Sequence, residues 1–174
     1  MFDKEYSFRG RHAEKVNKLT AKFDGEHQLF NRNMDIYLIA PIIGFLYGRT
    51  AELDKSSEVT TKIFADILIR EQLSLIFNYR LIMLLDDKDE PNLDERINKA
   101  FRYYNSNKAQ HDEELYEQYV RGGIDILYEK LIESSLNSDD YLIKLYDFLD
   151  EFESRYNKNI DIDSLLNLCK SAKI

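Results

Sequence analysis

The chain has 174 residues, 44% hydrophobic and 32% charged, with a formal net charge of −8 at pH 7. That is the size and balance of one folded domain and argues against a disordered chain. Only 6 Gly and 2 Pro are present, too little punctuation for a turn-rich sandwich or barrel, so the predicted fold is all-α.

The predicted architecture is a single domain over 1–174, with about six or seven helices around a long buried central helix. In chain order, residues 2–9 alternate, Phe2, Tyr6 and Phe8 against Asp3, Glu5, Ser7 and Arg9, which predicts a short extended arm over 1–10. The period then changes. His12, Val16, Leu19 and Phe23 form a helical stripe over 11–23, beside a basic stripe of Arg11, Lys15, Lys18 and Lys22. An apolar helix is predicted over 33–53, kinked or divided at Pro41, with Gly44 and Gly48 permitting a close neighbour. Together these make a basic helix plus an apolar helix over 11–53.

Residues 57–86 read as one long central helix, because LSLIFNYRLIMLL is apolar nearly all round. The segment 92–174 is the acidic helical half. It holds 92–104, capped by Asn92 with inner residues Leu93, Ile97, Phe101 and Tyr104, and 109–134, where Gly122-Gly123 predicts a kink or close crossing. A helix over 139–157 capped by Ser138, with Leu142, Leu145, Leu149 and Phe152 inward, and a short one over 161–171 complete the chain.

Charge is uneven. Residues 1–87 carry 12 basic against 13 acidic side chains, and 88–174 carry 12 against 19. Within the first 22 residues the balance reverses to six basic against three acidic. Strand, helix, Gly-containing turn and helix, over roughly the first 45 residues, resemble the order of ribbon-helix-helix DNA-binding modules. The resemblance is one of pattern, without a specific motif. It implies that Arg9, Arg11, Lys15, Lys18 and Lys22 contact nucleic acid, although Asp3 and Glu5 on the DNA-facing parity would be repelled. An acidic protein surface suits the same five residues, and a solvated face is the plain alternative. In either case reversing Lys15 and Lys18 to Glu is expected to leave folding nearly intact.

A second candidate is the polar row Arg70, Ser74 and Asn78, either a polar interface or the exposed edge of its helix. Catalytic patterns are missing: no HExxH, P-loop, GxGxxG or GxSxG occurs. His111 and Glu114 have helical i, i+3 spacing, but a helix start explains the acids beside them. No catalytic, cofactor-binding or metal residue is therefore nominated, and no cofactor is expected. The lone Cys169 excludes an internal disulfide framework. The start MFDKEYSFRGRH lacks the apolar core of a signal peptide, and the longest apolar run, Ile36 to Tyr47, falls short of the ~17–25 residues of a membrane span. A cytoplasmic chain without membrane contact is expected.

The expected function is non-catalytic: protein–protein contacts, as a homo-oligomer or accessory subunit. A nucleic-acid accessory or regulatory protein using the basic arm and helix comes next, and a small metal-dependent enzyme third.

Overall fold

Residues 1–135 and 137–156 are described in the structure, a computed structural model of the chain. Seven α-helices and one two-stranded sheet form among them, which is the all-α fold around a long buried central helix. No helix among the described residues is long and apolar enough to cross a membrane.

The alternating arm is strand β1, Tyr6–Arg9. It pairs antiparallel with β2, Thr60–Ile63, Tyr6 opposite Ile63 and Arg9 opposite Thr60. Phe8 and Ile63 point into the core, while Glu5 and Lys62 pair outside at 2.7 Å. Helix α1 spans Gly10–Leu19 and buries His12, Ala13, Val16 and Leu19. It stops short of Phe23.

Helix α2, Asn33–Tyr47, opens with the Asp35 carboxylate accepting the Arg32 N–H at 2.9 Å and runs through Pro41 without a break. Gly48 ends it before the predicted residue 53. Its φ of 62° is the left-handed conformation that side chains other than glycine's oppose, and Arg49 N–H then bonds back to the Gly44 carbonyl at 2.8 Å.

The single central helix predicted over 57–86 is corrected. That stretch contains β2, a short α3, Ala65–Arg70, and α4, Gln72–Leu85. Val59, Thr60, Thr61 and Ile63 are β-branched, and β1 offers them an open edge. Helix α4 is also not buried all round. It buries Leu75, Tyr79, Ile82 and Met83 but leaves Leu73 85% and Phe77 64% exposed.

The central position belongs to α6, Gln110–Leu131, whose buried residues include Tyr116, Val120, Ile124, Leu127 and Leu131. Its closest partner is α2. A Cβ on Gly123 would overlap the Ala40 carbonyl oxygen, and one on Gly44 the Tyr119 carbonyl oxygen. The glycine pair 122–123 therefore makes a crossing inside a continuous helix. Gly48 is a terminator and no part of the crossing.

Between α4 and α6 lie α5, Leu93–Ile97, a π-helical turn, Asn98–Arg102, and a 3-10 turn, Asn107–Ala109. Asn92 caps α5 as predicted, accepting the N–H groups of Asp94 and Glu95. Of the expected inner stripe, however, Leu93, Ile97 and Phe101 face outward, 54%, 36% and 51% exposed, and Tyr104 alone packs against the core. The last described helix, α7, Ser138–Tyr156, begins beside Asn137, whose side chain accepts the Asp139 and Asp140 N–H groups. Phe148 is its buried residue, with Leu145 and Phe152 half-buried, whereas Leu142 and Leu149 face outward. The predicted helix over 161–171 and Cys169 lie outside the described residues.

The crossing sets the sign of one substitution. Ala in place of a glycine inside an exposed helix stabilises by about 1 kcal/mol. Gly123→Ala is instead expected to destabilise by about 1–3 kcal/mol through overpacking, read from urea or thermal unfolding. The two sides of α4 give a second test. Leu75→Ala should cost about 2–5 kcal/mol as a buried truncation, and Leu73→Ala less than about 0.5 kcal/mol. Equal costs would disprove the described orientation of α4.

Candidate interaction surface

The outward side of α4 and the π-helical turn together form an apolar groove of about 400 Å³, lined by Leu73, Ile76, Phe77, Arg80, Leu81, Leu84 and Phe101. Leu73, Phe77, Leu81 and Leu84 recur at helical spacing, so one stripe of α4 builds the wall. The opposite wall is Phe101. Two segments that read as core in the sequence thus meet as surface. Large exposed apolar patches on small domains mark binding surfaces.

Arg80 is the charged residue of the groove. It is half-buried, and its guanidinium lies 5.3 Å from the centre of the Phe101 ring. Its Nε is buried without a hydrogen-bond partner, and no ion pair to it is found among the described residues. Stacking on the ring offsets part of the desolvation, but a shielded charge is stabilised fully only by a carboxylate or carbonyl.

The sequence pattern hid this surface. Leu73, Phe77, Leu93, Ile97 and Phe101 have the spacing of a buried stripe, and spacing does not say whether the covering surface belongs to the same chain. The available signal was Arg80, a charge inside an otherwise apolar run.

The basic residues nominated from the sequence are not gathered into one free face. Lys15 Nζ is 2.6 Å from Asp125 Oδ1, and Arg11 lies 3.9 Å from the other oxygen. His12, 1% exposed, has Nε2 3.5 Å from the same Asp125, an ion-pair distance that is long for a hydrogen bond. Lys18 donates to the Tyr128 hydroxyl at 3.2 Å. Lys22 lies beyond α1, in an isolated bridge with Gln28. Arg9 is exposed at the end of β1. One edge of β1 is engaged by β2 of the same chain.

Asp125 is the centre of that cluster. Burial pushes its carboxyl up, but the His12 ring and the Lys15 ammonium outweigh this and hold it at about 2. Asp125 thus ties Lys15 of α1 to α6, while Arg9, Arg11, Lys18 and Lys22 stay exposed, so reversing Lys15 is expected to cost stability.

The row Arg70, Ser74, Asn78 is also divided. Arg70 ends α3 and is exposed, as is Ser74 in α4. Asn78 turns inward and donates to the Leu38 carbonyl at 2.8 Å, tying α4 to α2.

Two carboxylate clusters complete the inventory. Glu117 accepts the hydroxyls of Tyr6 and Tyr37, each at 2.7 Å, and stitches β1 and α2 to α6. Desolvation pushes its carboxyl upward against those two hydrogen bonds. Asp89, His111 and Asp112 bring ligand-type atoms within 4.8 Å of one another. Lys99 Nζ already bridges the two carboxylates, 2.9 Å from Asp89 and 3.1 Å from Asp112. A divalent ion would have to displace that ammonium. Glu114, the partner suggested by spacing, bonds Arg121 instead.

Comparison with known protein families, curated proteins and solved structures finds no match.

The Asp125 cluster predicts a pH response. A carboxylate held below its unfolded value of about 3.9 contributes stability that is present above that value and lost as pH falls. Asp125→Asn should therefore lower stability at pH 7 by roughly 1–3 kcal/mol. It should also flatten the acid unfolding curve between pH 4 and about 2. Lys15→Glu should destabilise at pH 7 as well, because it sets a second acid against Asp125.

Proposed function

We propose that this protein acts by binding protein, through the groove of α4 and Phe101. The observation that carries this reading is the exposure of Leu73 and Phe77 on the same helix that buries Leu75 and Tyr79. Burial of one Leu or Phe side chain is worth about 1.5–3 kcal/mol, so the exposed stripe holds enough free energy for association. Arg80, half-buried and without a carboxylate, adds a polar requirement. The occupant is an amphipathic helix that presents an acidic side chain among apolar ones, the helix-in-groove mode of recognition. Such a protein works as an oligomer or accessory subunit. The single cysteine suits the reducing cytoplasm.

A photo-crosslinking side chain in place of Phe77 tests the reading. Illumination should give a discrete protein adduct, while the same group at exposed Glu58 gives none. Adding Arg80→Glu should reduce the adduct yield at least tenfold with the fold intact by circular dichroism. No adduct at position 77, or one indifferent to Arg80, would count against the groove.

A further inference from the structure

We infer that the occupant of the groove is helix α7 of a second copy of this chain. This inference rests on the protein-binding reading above and names the partner. The outward face of α7 carries Leu142, Ile143, Tyr146 and Leu149, exposed at 57%, 58%, 72% and 57%. These positions, at i, i+1, i+4 and i+7, form one continuous stripe. Among them stand Asp139, Asp147 and Asp150, all exposed. From Asp139 to Asp150 the only basic residue is Lys144, and it is turned back onto the Glu133 carbonyl. The α7 face is therefore apolar with purely acidic charge.

The groove is its complement. Its lining is apolar, its charged residue is Arg80, and no acid contributes to it. An aspartate from α7 supplies what Arg80 lacks in the isolated chain. A paired, desolvated arginine beside an aromatic ring is the kind of anchor on which interfaces depend.

Area points to a reciprocal arrangement. At on the order of 100 Å² per exposed large side chain, Leu73, Phe77 and Phe101 from the groove and four from α7 amount to about 700 Å² per copy when both contacts form, within the range of a standard stable interface. A single groove–helix contact provides about half of that. One stable dimer thus uses both surfaces of each copy, in the self-complementary manner of two-fold assemblies.

The test uses the full chain and two single variants at exposed positions, Phe77→Glu in the groove and Tyr146→Glu on α7. Unfolding temperatures check that both stay folded. In sedimentation equilibrium the wild type should dimerise, and each variant should weaken dimerisation at least tenfold. Mixing the two should restore an intermediate association, because an intact α7 from one meets an intact groove from the other. A wild type that stays monomeric at ~100 µM overturns the inference but leaves the groove free for another protein. A dimer lost in Phe77→Glu and kept in Tyr146→Glu overturns α7 as the occupant while the groove reading stands. A dimer indifferent to both variants overturns both.

Discussion

The crossing of α2 over α6 is the constraint on which the other elements depend. With hydrogens alone at Gly44 and Gly123, each backbone rests against a carbonyl of the other helix. That closeness aligns Tyr37 with Glu117, and through Glu117 it fixes Tyr6 and the strand pair. It also brings Arg49 to Glu129, whose carboxylate takes both guanidinium nitrogens at 2.6 Å. At the far end of α2, Gly122 lies under the Arg49 carbonyl, so the loop after α2 is packed by the same helix. Helices at such separation interlock without the large side chains that usually fill a crossing.

The remaining elements divide by which side of this pair they cover. Helix α1 lies on α6 and is fastened by a buried charge cluster, an arrangement that adds geometric definition more than free energy. Helix α4 lies on α2, joined by the Asn78 bond to the Leu38 carbonyl, and α7 lies on α6 through the Lys130–Glu151 pair and on the end of α2 through Phe148 against Tyr47. Each outer helix has one face on the central pair. For α1 the outer face is polar. For α4 and α7 it is apolar, and these are the two surfaces that we assign to each other.

Polar residues on this protein therefore serve in two ways. Lys15, Asn78 and Glu117 satisfy their hydrogen bonds inside one chain and lock elements together. Arg80 does not. It stands in an apolar groove without a carboxylate, and that is the feature on which the proposed binding surface depends.

Much of the fold was legible in the sequence. The arm over 1–10, the core stripe His12, Val16 and Leu19, the Asn92 cap and the buried register of Tyr116, Val120, Leu127 and Leu131 all follow from local periodicity and capping, which depend on neighbours a few residues away. Tertiary structure decided the rest. The stretch 57–86 reads as one helix because of its apolar second half, yet Thr60–Ile63 became a strand because β1 presents unpaired hydrogen-bonding groups there. Leu73, Phe77, Leu93 and Phe101 carry the pattern of a core and lie outside, because a period identifies an apolar face and not what that face meets. The basic stripe of α1 was readable as a stripe, but only the position of Asp125, 110 residues from Lys15, turned that one lysine into a tie between α1 and α6. Charge pairing across that separation depends on how the helices pack, and local sequence carries no record of it.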